Sequence, residues 1–253
     1  EQSENIINEV KKAFTGKDEI IKKVLMAIYA GGHILLEDHP GMAKTTLAIA
    51  FSRALGLGYN RIQFTSDTLP SDITGYTVYN KRTDQFEYVD GAVNCNLLLA
   101  DEINRTSPKT QSALLQAMAE YSITVDGKTH DLPKPFICIA TENPLGTIGT
   151  QALPESQLDR FMIRLSIGYP STEDQFEIIR ARKFSNPIEK ITPVVNATNV
   201  IETQNYISSI KISDEVLLYL IKLCEATRNN EYVDLGISPR GIMALTRMAK
   251  VNA

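Results

Sequence analysis

The sequence predicts an α/β protein: a parallel-sheet core followed by an all-helical segment. Three observations carry this. Short apolar runs (Ile34–Leu36, Cys95–Ala100, Phe136–Ala140) alternate with helical patterns through the first two thirds of the chain, the order that builds a parallel sheet. One strand–turn–helix joint holds Pro40-Gly41 at the bend and Lys44-Thr45 at the helix start, a layout suited to phosphate. Beyond Tyr169-Pro170-Ser171 every apolar stripe has helical spacing.

The composition is that of an ordinary globular protein, with 253 residues, 43% hydrophobic and 22% charged, which excludes disordered and fibrous classes. No apolar run approaches the roughly 18 residues of a membrane span, and Glu1-Gln2-Ser3-Glu4 is not a signal peptide. The lack of an initiator Met suggests a trimmed chain. Cys95, Cys138 and Cys224 are scattered in apolar sequence and read as three buried free thiols in a reducing cytoplasm. The three histidines lack metal-ligand spacing, so no zinc site is expected. A net charge of −4 argues against a dominant nucleic-acid footprint.

In chain order, residues 4–14 and 18–30 read as helices divided by Thr15-Gly16-Lys17-Asp18. The Ile34–Leu36 strand and the helix opening at Lys44 follow, and then an Arg61–Phe64 strand. A short helix near Ser71 precedes a hairpin turning at Lys81–Asp84, with a surface loop as the alternative. Cys95–Ala100 is a buried strand ending in Asp101-Glu102. Ser107 caps a Pro108–Tyr121 helix with Leu114, Leu115, Met118 and Tyr121 inward. Asp126-Gly127 turns a hairpin over 122–131. The Phe136–Ala140 strand runs into Thr141-Glu142-Asn143-Pro144, and a short helix over Leu153–Phe161 leads to a closing strand, Ile163–Ile167. Helices then span 172–184, 198–209 and 213–228, the last with a core stripe of Val216, Leu217, Leu220, Ile221 and Cys224. A final helix starts at Ser238-Pro239-Arg240.

A triphosphate requires inward backbone N–H donors, a helix N-terminus, one cation and a hydroxyl for Mg²⁺. His39, Pro40, Gly41, Met42, Ala43, Lys44, Thr45 and Thr46 supply them. The strict G-x-x-x-x-G-K-[ST] pattern nevertheless fails, because Asp38 stands at the first Gly position and Ala43 at the second. Ala43 is a mild change if it begins the helix with helical dihedrals. A carboxylate about 4 Å from the phosphates would cost roughly 4 kcal/mol at an effective dielectric of about 20, so Asp38 must point away or weaken the site. Asp101 at a central strand end suits Mg²⁺ and Glu102 suits the attacking water; the alternative is a strand end with solvated carboxylates. Asn143 can hold a water against a γ-phosphate or simply cap a turn.

These motifs resemble the MoxR family of AAA+ ATPases over essentially the whole chain. Leu97–Arg105 with Pro108–Leu115 looks like the family's Walker B region, and Leu69–Gly75 is similar to its helix-2 insertion. Ala140–Pro144 is similar to sensor 1, Leu158–Phe161 to the arginine-finger segment and Gly236–Arg240 to sensor 2. The resemblance implies a P-loop NTPase core over 1–169, a helical lid over 170–253, and ATP with Mg²⁺ in the cleft between them. It assigns Lys44 to the β/γ-phosphates, Thr45 and Asp101 to Mg²⁺, and Glu102 to the water. Asn143 would sense the γ-phosphate, Arg240 would reach in from the lid, and Arg160 would serve a neighbouring subunit. It further implies a ring of six subunits acting on protein clients as a chaperone or remodeller, with a von Willebrand factor A domain protein as partner. The family usually has Gly at Asp38, and its lid commonly continues past sensor 2, so a lid truncated at Ala253 is expected. Two other functions stay open: a nucleotide-gated binding module silenced by Asp38, and a nucleic-acid motor. The 122–131 hairpin, with Asp126, Lys128 and Asp131 as its charges, is a poor polyanion grip.

Overall fold

The computed structural model describes residues 1–38, 41–143, 152–182 and 186–253. Helices α1 (Gln2–Lys11) and α2 (Asp18–Tyr29) open the chain. On α2, Ile21, Val24, Leu25 and Ile28 recur at helical spacing and are buried together. Next come β1 (Ile34–Glu37), α3 (Lys44–Ala54), β2 (Tyr59–Gln63) and α4 (Pro70–Thr74). The β3–β4 hairpin (Tyr76–Asn80, Gln85–Val89) forms across Lys81–Asp84, so the inserted hairpin prevails over the surface loop. After β5 (Leu97–Asp101) and a 3-10 turn at Ile103–Arg105, α5 (Pro108–Glu120) starts where Ser107 accepts the Thr110 N–H. The β6–β7 hairpin (Ser122–Val125, Lys128–Asp131) turns through Asp126 and Gly127, both at positive φ as a type I′ turn requires. The α/β part ends with β8 (Ile137–Glu142), α6 (Glu155–Leu158) and β9 (Ile163–Leu165).

Five strands form one parallel sheet in the order β2-β5-β8-β1-β9. Side chains alternate between its faces. Leu97, Leu99, Ile137 and Ile139 pack in one core with residues of α1, α2 and α3; Leu98, Ala100, Cys138 and Ala140 pack in another with residues of α5. Each buried Leu or Ile contributes about 1.5–3 kcal/mol, which explains strands that read as unbroken apolar runs. The registers Glu37 with Glu142 and Gln63 with Asp101 bring four strand ends level. That level edge is where open α/β sheets bind ligands.

Below the edge, His33 fastens three elements. Its Nε2 lies 2.9 Å from the Met118 carbonyl and its Nδ1 accepts the Cys138 N–H at 3.0 Å. Full burial lowers its pKa to about 4, opposed by the Met118 bond. The folded protein thus holds a neutral ring that an unfolded chain protonates near pH 6.5. Stability is therefore complete above about pH 6.5 and falls as pH drops toward 4, by roughly 3 kcal/mol in all. Urea unfolding of the parent and of His33→Phe at pH 7.5 and 4.5 checks this, the variant having the shallower pH dependence.

The remaining chain is helical: α7 (Thr172–Arg182), a 3-10 turn at Pro187–Lys190, α8 (Ala197–Ser209), α9 (Asp214–Arg228) and α10 (Pro239–Asn252). Two sequence expectations change here. Of the α9 stripe only Leu220 and Cys224 are buried, while Val216 is 51% exposed, because α9 packs along α10 and among the described residues nothing covers its outer side. Tyr121 does not face inward: it ends α5 in the left-handed region and donates its hydroxyl to the Gly31 carbonyl at 3.1 Å. Among the described residues no helix is long and apolar enough to cross a membrane.

Candidate functional site

The described part of the joint between β1 and α3 holds two left-handed backbone positions. Gly41 has φ +89°, which glycine adopts freely. Ala43 has φ +54° and ψ +24°, so it does not begin the helix, contrary to the helical dihedrals expected of it; α3 begins at Lys44. A left-handed alanine costs about 1–2 kcal/mol, a strain retained beside the cleft. Lys44 is buried and donates Nζ to the Asp38 carbonyl at 2.6 Å. Burial lowers its pKa, while Asp101, Asp38 and Glu102 pull it back up. His39 and Pro40 lie outside the described residues, as does Pro144 of the sensor segment.

Asp38 does not line the cleft that holds Lys44. Its carboxylate turns toward the chain after β9, accepting Ser166 Oγ at 3.1 Å, the Ile167 N–H, and the Gly168 N–H at 3.3 Å. Those three donors account for its burial and hold the carboxylate turned from the loop, while its charge still reaches Lys44.

At the end of β5, Asp101 Oδ1 accepts Thr141 Oγ at 2.6 Å and Oδ2 pairs with Arg61 at 2.8 Å. Glu102 sits in the left-handed region, φ +60° and ψ +47°, and its N–H donates to the same Thr141 hydroxyl at 2.8 Å. Its Oε1 accepts Asn143 Nδ2 at 3.0 Å, and its Oε2 lies 3.0 Å from Arg105 Nε, an ion pair without a directed N–H. Asn104 holds Asn143 from behind, donating to its carbonyl at 3.0 Å. The carboxylate beside the cleft is thus fixed by a strained backbone and two side-chain partners.

Gly41–Thr46, Arg61, Gln63, Asp101, Glu102 and Asn143 line one cleft of about 400 Å³. A second of about 330 Å³ shares Gly41, Met42 and Ala43 and is walled by Phe14, Tyr169, Pro170 and Ile179. Arg160 and Arg240 line neither. They meet in a third cavity of about 860 Å³, with Lys22, Lys23 and Arg247. Arg160 Nη1 donates to the Leu115 carbonyl at 3.0 Å and Arg240 lies 3.9 Å from Asp159. The structure therefore gathers Lys44, Thr45, Asp101, Glu102 and Asn143, and sets the two arginines together elsewhere.

Sequence reasoning missed Arg61 and Thr141 as site residues. Polar Tyr59-Asn60-Arg61-Ile62-Gln63 was the available signal for Arg61, since so polar a sheet strand must face something other than core.

A family model described as the ATPase family associated with various cellular activities (AAA) matches residues 33–163. The uncharacterized protein YeaC of Bacillus subtilis is 44% identical over 247 residues, 98% of this chain and 77% of that protein. Chaperone MoxR1 of Mycobacterium tuberculosis is 36% identical over 256 residues, 98% of this chain and 67% of its own length. A solved structure from Cytophaga hutchinsonii, described as a candidate ATPase, superimposes with a TM-score of 0.89 at 38% identity, covering 98% of this chain and 78% of that one. Taken with the strand order and the residues gathered at the carboxyl edge of the sheet, these likenesses place the chain in the MoxR family of AAA+ ATPases.

Proposed function

We propose that this chain hydrolyses ATP to ADP and phosphate in the cleft between Lys44 and Glu102, within a ring that remodels protein clients. The Glu102 carboxylate, held 3.0 Å from Asn143 Nδ2 at the mouth of a phosphate-loop cleft, is the observation that carries this reading. Asn143 Oδ1 is buried without a hydrogen-bond partner among the described residues, and such an atom is satisfied by water or ligand. The donor set fits Mg²⁺ with a triphosphate: Thr45 and Asp101 are hard oxygen ligands and would hold the ion, which neutralises phosphate charge when bound. Lys44 and the N–H groups of 41–46 bind phosphate oxygens, Glu102 orients the attacking water, and Asn143 holds Glu102 in place. The apolar second cleft suits the nucleoside, because it opens from the same loop.

In this reading residues 1–169 form the core and 170–253 the lid. Arg160 and Arg240 share one face away from the phosphate cleft, which favours both serving a neighbouring subunit's nucleotide in a six-membered ring. The chaperone name of the Mycobacterium relative favours protein clients, and a von Willebrand factor A domain protein is the partner we infer. The three buried free cysteines agree with a reducing cytoplasm.

The test is Mg²⁺-dependent ATP hydrolysis over a wide range of protein concentration, with nucleotide binding on the same samples. Specific activity should rise with concentration as rings form. Lys44→Ala should abolish hydrolysis and weaken ATP binding by at least about tenfold, the loss of a buried charge-assisted contact. ATP binding with no turnover at any concentration would favour the binding module.

A further inference from the structure

Asp38 is a buried carboxylate beside the phosphate loop to which the hydrolytic reading gives no task. Its two ends do different things. The backbone carbonyl accepts Lys44 Nζ at 2.6 Å. The side chain reaches across to the exit of β9, where both carboxylate oxygens are taken up by Ser166, Ile167 and Gly168. Gly168 itself has φ +65°, a left-handed bend that turns the chain from the sheet toward Tyr169, Pro170 and α7. Lys17 secures the next residue, donating Nζ to the Tyr169 carbonyl at 2.9 Å.

The walls of the second cleft follow from this. One wall is the loop at Gly41, Met42 and Ala43; another is Ile167, Gly168, Tyr169 and Pro170. Asp38 precedes the first wall in sequence and hydrogen-bonds the second.

We propose that Asp38 is a positioning residue that ties the phosphate loop to the segment leading into the C-terminal helices, so that the apolar cleft has the width a nucleoside needs. The inference rests on the nucleotide reading of the site and adds a residue to it. The chemistry explains why a carboxylate stands there: two adjacent N–H groups and a hydroxyl converge on it, and only an acceptor on both oxygens satisfies them all. Asparagine retains one acceptor and turns two donors on the others; glycine retains none.

This assignment and simple electrostatics predict opposite signs. If the Asp38 charge mattered chiefly by repelling phosphate, Asp38→Gly would tighten nucleotide binding. If Asp38 is a tie, Asp38→Gly weakens it, although a negative charge near the phosphates has been removed. Two probes separate the walls. ADP needs both, whereas inorganic pyrophosphate needs the loop alone.

The experiment measures ADP and pyrophosphate affinity by calorimetry for the parent, Asp38→Gly and Asp38→Asn, with thermal melts of each. ADP affinity should fall roughly tenfold in Asp38→Gly, as expected when buried donors lose their partner. Asp38→Asn should fall between, and pyrophosphate should change by less than about threefold. If Asp38→Gly does not fold, Asp38→Asn carries the test on the same two ratios. Tighter or unchanged ADP binding overturns the proposal, and so does an equal loss for ADP and pyrophosphate, which would make Asp38 a residue of the loop alone. A parent protein that binds pyrophosphate but not ADP would instead overturn the nucleotide reading, and the proposal with it.

Discussion

Glu102→Gln is expected to bind ATP about as tightly as the parent and to lose turnover by about 10²–10⁴-fold, the usual contribution of a positioned general base. The substitution keeps shape and volume. Its amide oxygen can still accept Asn143 Nδ2, so the arrangement at 3.0 Å survives. The charge and proton affinity that polarise water are lost, together with the pairing to Arg105. Because Glu102 stands beside the cleft rather than on the loop, phosphate binding through Lys44 and the backbone N–H groups is untouched. The signature is a fall in kcat with KM unchanged within about threefold. Measured steady-state rates and equilibrium ATP binding decide it, and normal hydrolysis by the variant would remove Glu102 from the reaction.

The sheet and the cluster of residues at its carboxyl edge were legible because each depends on local pattern. Leu97–Ala100 and Ile137–Ala140 are apolar on both sides since helices cover both faces, and Ser107-Pro108 and Ser238-Pro239 announce helix starts through capping. Lys44, Asp101, Glu102 and Asn143 could be picked out as candidates because the first opens a helix and the others stand at strand ends that pattern already marked. The rest depended on what no local pattern encodes. The direction of the Asp38 side chain is set by donors about 130 residues later, and Ala43 lies at a positive φ that alanine does not announce. Arg61 meets Asp101 only through the pairing of β2 with β5. Residue spacing on α9 marks an apolar face without saying whether anything packs on it.

Arg160→Ala should remove about 10³-fold or more of the hydrolysis while leaving ATP affinity of the isolated subunit unchanged, because an arginine supplied in trans acts on the transition state. The geometry supports this division. Arg160 lines the large basic cavity with Arg240 and Arg247, apart from the cleft that holds Lys44 and Glu102. Its guanidinium is anchored on the Leu115 carbonyl at 3.0 Å, which orients it without neutralising it. Mixing gives the sharper result. A Lys44→Ala subunit has a dead phosphate loop and an intact Arg160; an Arg160→Ala subunit has the reverse. In a mixed ring the first donates its arginine to the second, so two inactive preparations should regain measurable hydrolysis when combined, up to a minority of parental activity. An arginine acting within its own subunit predicts no recovery at any ratio. Recovery that vanishes on dilution, as rings dissociate, would show that the catalytic site is completed only between subunits.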